Sequence, residues 1–192
     1  MADKTDTQAS KRILLLLDDD EKQREMLSES GKRYFGDDAD CNILEVGSSN
    51  QAIEALNASL SVSPDAYLLA VMDYNMGENL PGERKPSESI FFNGAFLKYI
   101  DNGAIIVIYS GYPEQVRQSK VIYDLAEKKH NSVILVAVKS EVQMDDLFRM
   151  LKAAKMKGLG NLKKLAKDCQ YDLNNLLEYL LTLNKIRRKT KP

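Results

Sequence analysis

The sequence predicts an α/β fold: a doubly wound, five-stranded parallel sheet followed by a C-terminal α-helical extension. Three observations predict it. Ile13-Leu14-Leu15-Leu16-Leu17, Tyr67-Leu68-Leu69-Ala70-Val71-Met72, Ile105-Ile106-Val107-Ile108-Tyr109 and Val133-Ile134-Leu135-Val136-Ala137-Val138 are short, unbroken apolar runs bounded by polar residues, the habit of strands buried on both faces. Stretches of helical periodicity alternate with them, which implies parallel strands joined by right-handed crossovers. Each run also ends on a residue able to do chemistry: the pair Asp18 and Asp19, then Asp73, Ser110 and Lys139. In a sheet of this kind the carboxyl ends of the strands form the ligand crevice, and three acids, a hydroxyl and an amine there suit a divalent cation and a phosphoryl group.

The elements follow in order. A first strand over 12–17 leads to a helix over Glu21–Phe35, with Met26, Leu27, Tyr34 and Phe35 apolar on a charged background and Gly36 as its stop. A second strand covers 42–46. Ser48 or Ser49 caps a helix over 48–60 whose apolar stripe is Ala52, Ile53, Ala55, Leu56 and Leu60. The third strand covers 66–72. Residues 77–89 hold Gly77, Pro81, Gly82 and Pro86 among charges and read as a loop. A third helix over 95–100 follows Asn93-Gly94. A fourth strand covers 104–109, a single helix 113–129, a fifth strand 132–138, and a last helix of this unit starts near Glu141.

Composition excludes several classes. With 192 residues, 44% hydrophobic and 29% charged, the chain is an ordinary globular protein of one domain plus an appendage. Its net charge of −1 implies no general affinity for nucleic acid or anionic membrane. Cys41 and Cys169 have no metal-ligand spacing and read as free thiols of a reducing compartment. Residues 1–10 form a polar, disordered tail without an apolar signal core, and no run reaches membrane-spanning length, so a cytoplasmic location is expected. His130 is the one histidine and reads as a surface residue.

The series of strand-end residues, over 11–155, resembles the receiver domain of two-component response regulators, a flavodoxin-like fold. That pattern places an acidic pair after strand 1, a phosphoacceptor Asp after strand 3, Ser or Thr after strand 4 and Lys after strand 5. Asp73-Tyr74-Asn75-Met76 also matches the family's Asp-x-x-Met stretch. The resemblance implies that Asp73 accepts a phosphoryl group, assisted by Lys139 and Ser110. It also implies magnesium held by Asp18, Asp19 and Asp73 with the backbone carbonyl of Asn75, Asp18 acting largely through water. The partners implied are a sensor histidine kinase or histidine phosphotransfer protein and a downstream protein target, without a separate enzymatic output domain. Asp20, one place beyond the acidic pair, reads as the N-terminal residue of a helix.

Three departures bear on the readout. Ser140 stands where receivers commonly have Pro, and Val136 where many place a switching aromatic, leaving Tyr109 and Tyr112 as candidates for that role. The 77–89 insertion sits at the mouth of the site. A competing enzyme reading makes Asp18 the nucleophile and Asp20 the general acid of a haloacid-dehalogenase-type phosphatase, which would further need late acids such as Asp145-Asp146 at a strand end. Residues 156–192 form the extension: two helices over 161–169 and 172–186, then a basic tail. Leu173, Leu176, Leu177, Leu180 and Leu181 make an apolar stripe that must be covered, so 161–186 is expected to form a homodimer. A small helix-turn-helix binding DNA is the alternative, opposed by Asp172 and Glu178 on the would-be recognition helix.

Overall fold

Along the first strand Ile13, Leu15 and Leu17 point to one side and Leu14 and Leu16 to the other, and all five are buried. A strand with side chains alternating between two apolar layers must have helices on both faces. The computed structural model describes residues 12–80, 83–86, 88–127 and 132–157. In chain order the strands are β1 (Arg12–Leu17), β2 (Cys41–Val46), β3 (Tyr67–Met72), β4 (Asn75–Leu80), β5 (Glu83–Pro86), β6 (Ile105–Ser110) and β7 (Val133–Val138). The helices are α1 (Glu21–Phe35), α2 (Ser49–Val62), α3 (Gly94–Asp101), α4 (Pro113–Gln118), α5 (Lys120–Glu127) and α6 (Met144–Lys157), with a 3-10 turn at Ser89–Phe92.

Five strands form one all-parallel sheet in the order β2-β1-β3-β6-β7. On one face Ala52 and Leu56 of α2, Phe96 and Tyr99 of α3, Val116 of α4 and Ile122 of α5 pack against Ile13, Leu15, Leu68, Ala70 and Ile106. On the other, Leu27 and Phe35 of α1 and Leu147, Phe148 and Leu151 of α6 cover Leu14, Leu16, Leu69, Val71 and Val107. The doubly wound α/β sheet expected from the apolar runs is therefore present. The helix starts follow from local chemistry: Asp20 accepts from the Gln23 N–H at 3.0 Å, Ser48 from Gln51 at 3.2 Å, and Asn93 from Ala95 and Phe96. Each is a short polar side chain satisfying an N–H that the first helical turn leaves without a partner.

Gly31 lets α1 approach the sheet. A Cβ there would lie 3.0 Å from Leu16 Cδ1, 3.4 Å from Leu14 Cδ2 and 3.7 Å from Phe148 Cε1. Phe148 stacks on Tyr34 with centroids 6.5 Å apart, so α1, α6 and β1 lock together at this point.

Three expectations are corrected. Residues 77–89 are not simply a loop: β4 and β5 pair antiparallel, Asn75 opposite Pro86 and Leu80 opposite Glu83, with an irregularity between. Asn-Met-Gly-Glu-Asn-Leu carries no β-branched residue, so its strand character comes from the partner strand rather than from propensity. The single helix over 113–129 is two helices broken at Ser119, whose backbone is extended (φ −67°, ψ 116°). No Gly or Pro marks that break in the sequence. The last helix begins at Met144, because Glu141 and Val142 both donate their N–H to the Val138 carbonyl and close a turn first.

Among the described residues Cys41 is a free thiol, held protonated because burial, with Asp38 beside it, pushes its pKa up to about 11. No described helix is long and apolar enough to cross a membrane. The 1–10 tail, His130, Cys169 and the extension, including its dimer and helix-turn-helix readings, lie outside the described residues.

Candidate functional site

β1 lies between β2 and β3 in the sheet, so the chain leaves β1 in one direction and later returns on its other side. Such a reversal opens a crevice at the carboxyl ends of the two central strands. The parallel register continues past both strand ends. The Asp73 N–H donates to the Leu17 carbonyl at 2.8 Å, and the Asp18 N–H to the Val46 carbonyl at 3.3 Å. Asp18, Asp19 and Asp73 are thereby brought together, each offering a carboxylate oxygen within 4.8 Å of the others'.

β7 ends beside this cluster and delivers Lys139. Its Nζ donates to Asp18 Oδ2 at 2.8 Å and to Asp73 Oδ2 at 3.1 Å. The two acids are nearly inaccessible, with side chains 1% and 3% exposed, and the lysine is 19% exposed. Burial pushes the Asp18 carboxyl above its ordinary value, with the Asp73 charge adding to it and Lys139 pulling against it. Burial alone would lower the Lys139 ammonium, but the hydrogen bond to Asp18 and the charge of Asp73 hold it above its ordinary value.

The remaining oxygens divide into satisfied and unsatisfied ones. Asp18 Oδ1 accepts from the Asp20 N–H at 3.0 Å, Asp73 Oδ1 from the Tyr74 N–H at 2.7 Å and the Asn75 N–H at 3.4 Å, and Asp19 Oδ2 from the Gly77 N–H at 2.7 Å. A Cβ on Gly77 would stand 2.9 Å from Asp19 Oδ2, so this close approach depends on glycine. Asp19 Oδ1 and Asn75 Oδ1 are buried and have no hydrogen-bond partner. A buried oxygen without a donor is costly, and a hard cation is what oxygen atoms around three clustered carboxylates accommodate. The donor set thus fits a divalent metal ion. Asn75 Oδ1 is a further buried, unpartnered oxygen just after Asp73, whose Oδ1 the Asn75 N–H approaches at 3.4 Å.

Ser110 closes β6 and is fully buried; its Oγ accepts from the Tyr112 N–H at 3.0 Å and still carries a proton to donate. Its carbonyl accepts from the Lys139 N–H at 3.0 Å, which ties the two strand ends together. No hydrogen bond joins its hydroxyl to the acids. Tyr109 turns to the α1/α6 face, donates to the Val142 carbonyl at 3.1 Å and lies 5.8 Å below the Lys139 ammonium, whereas Tyr112 is exposed. No cis peptide bond occurs at Lys139–Ser140. Asp20 serves as the α1 N-cap. The late acids of the phosphatase reading lie in the first turn of α6, Asp145 accepting from Ser30 and Arg33 and Asp146 from Arg149.

Sequence reasoning missed three residues near this site. Tyr74, directly after Asp73, is buried and donates its hydroxyl to Glu88 Oε1 at 2.7 Å, and the Ser119 hydroxyl donates to the same oxygen at 2.8 Å. In the sequence Glu88 is one more charge in a polar insertion; only the fold places it under a tyrosine.

Metal binding has a thermodynamic signature. A divalent cation, with magnesium as the probe, at about ten times its dissociation constant is expected to add ~1.4 kcal/mol of stability, a rise of roughly 4 °C in Tm. Asp19→Asn should abolish the rise; a thermal scan in which that variant gains as much as wild type removes Asp19 from the ligand set. No family model and no curated protein sequence matches the chain.

Proposed function

We propose that the chain is a response-regulator receiver that accepts a phosphoryl group on Asp73 and signals through protein contacts. The observation that carries this reading is Lys139 Nζ bridging Asp18 Oδ2 and Asp73 Oδ2 at the switch point of a doubly wound sheet. A buried ammonium there meets the charge that a phosphoryl group brings when it lands on Asp73. The phosphoryl donor is the phosphohistidine of a sensor kinase or phosphotransfer protein. A carboxylate oxygen of Asp73 attacks phosphorus, the P–N bond to the donor imidazole breaks, and the imidazole leaves with the bonding pair and takes a proton. Lys139 holds one phosphoryl oxygen, and the Ser110 hydroxyl, whose proton is available, turns toward another. Magnesium, held by Asp18, Asp19, Asp73 and Asn75, would neutralise the remaining phosphoryl charge.

The phosphatase alternative is the poorer reading of the same residues. Asp20 is occupied as a helix cap, Asp145 and Asp146 are engaged on α6, and Asp73 would have no task. Incubation with acetyl phosphate and magnesium is expected to add one base-labile phosphoryl group, mapped by mass spectrometry to Asp73 and absent from Asp73→Asn. Label that persists in Asp73→Asn, or that maps to Asp18, overturns the receiver reading in favour of the phosphatase.

A further inference from the structure

We infer that Glu88 is a positioning residue: it fixes Tyr74, and through the Tyr74 N–H the Asp73 carboxylate, while the same oxygen holds the break between α4 and α5. Its functional meaning rests on the receiver reading, its existence on geometry. Tyr74 is 3% exposed and Ser119 7%, and both hydroxyls converge on Glu88 Oε1. Three segments distant in sequence meet there: the turn after β3, the end of the 77–89 insertion and the α4–α5 junction.

Each link has a definite job. The backbone N–H of Tyr74 makes the shortest hydrogen bond to Asp73 Oδ1, at 2.7 Å, so the main-chain position that the anchored phenol helps hold orients the nucleophile. The other Asp73 oxygen goes to Lys139, and between these two anchors the carboxylate has one orientation. Burial pushes the Tyr74 phenol up to about 12, so it remains a donor throughout the working pH range. Ser119 caps α5: its Oγ accepts from the Ile122 N–H at 3.3 Å and its carbonyl from the Tyr123 N–H at 3.0 Å, while its hydroxyl proton goes to Glu88. A hydroxyl whose proton direction is set by Glu88 keeps its lone pairs toward the helix.

The consequence is a linkage. When Asp73 is phosphorylated, its carboxylate becomes an acyl phosphate whose neutral carbonyl oxygen is a weaker acceptor for the Tyr74 N–H than a carboxylate is. Tyr74 is then free to shift, Glu88 follows its phenol, and Ser119 loses the partner that orients its cap. The insertion thereby has a purpose: it delivers Glu88 from the mouth of the site to the α4–α5 junction.

The test uses the full chain with Tyr74→Phe, Glu88→Ala, Glu88→Gln and the double variant Tyr74→Phe/Glu88→Ala. In unphosphorylated protein, amide exchange at Ile122 and Tyr123 should rise about three- to tenfold in Tyr74→Phe and Glu88→Ala, the worth of one hydrogen bond. Glu88→Gln, which keeps an oxygen acceptor of the same reach, should restore most of the protection. With acetyl phosphate, both single variants should modify Asp73 more slowly, and the double variant no more slowly than either, as residues of one unit behave. Wild-type exchange at Ile122 in Tyr74→Phe, or single effects that simply add, overturns the inference. Failure of every protein, wild type included, to take phosphate on Asp73 sinks the receiver reading instead, and the exchange arm still decides the tie.

Discussion

Lys139→Met is expected to lose about 3 kcal/mol of folding stability in chelator at neutral pH, because it strands two buried carboxylates without their cation. The side chain it removes sits between Asp18 and Asp73, both almost wholly buried. Magnesium should return part of that loss, since a divalent ion supplies the missing positive charge. The pH dependence has a definite sign. Burial already raises the Asp18 carboxyl above its ordinary 3.8, and Lys139 is what pulls it down. Without the lysine the native state binds a proton that the unfolded chain does not, from the raised value down to 3.8. The variant should therefore gain stability relative to wild type as pH falls through that window. Urea midpoints at several pH values measure it, and a deficit that does not shrink toward acid removes Asp18 as its cause. On the receiver reading the same variant should slow acetyl-phosphate modification of Asp73 by about 10²- to 10³-fold, the usual loss for one charge-stabilising donor.

Phe148→Ala is the second large effect, about 3–5 kcal/mol. Phe148 is fully buried, stacks on Tyr34 and reaches the space above Gly31 where α1, α6 and β1 meet. The void cannot collapse easily, because β1 is pinned on both sides by β2 and β3. Gly31→Val should cost less, about 1–3 kcal/mol, since it overpacks the same joint and Leu16 has only a side-chain tip to move. Denaturant titrations distinguish the two, and a Phe148→Ala loss below about 1 kcal/mol would mean that α6 packs on α1 through other residues.

The sheet was legible in the sequence because its inner strands β1, β3 and β6 are buried on both faces. In runs such as Ile13–Leu17 and Leu68–Met72 every position is buried, and the hydrophobic effect alone demands cover on both faces. Helix starts followed closely too at Ser48, read as a cap, and at Asp20, read as the N-terminal residue of a helix, each satisfying a neighbouring N–H, whereas the cap at Asn93 came only with the fold. The acids and the lysine were legible because they end strands of that sheet, and parallel register aligns strand ends. What composition and period did not contain was pairing between segments. β4 and β5 carry no strand signal of their own and exist because each satisfies the other's backbone, while the break at Ser119 carries no Gly or Pro.

By itself the sequence determined which residues are apolar, in what period, and which groups sit one step beyond each strand, and local energetics suffice for that. Tertiary structure alone decided that Gly77 would hold Asp19, that Asn75 would leave a buried oxygen unpartnered, and that Tyr74 and Ser119 would share Glu88. The hydrogen bonds among them join residues from 14 to 58 places apart. A hydrogen bond across such a span has no local signature, because the distance between its partners is set by the packing of helices on the sheet and not by the chain between them.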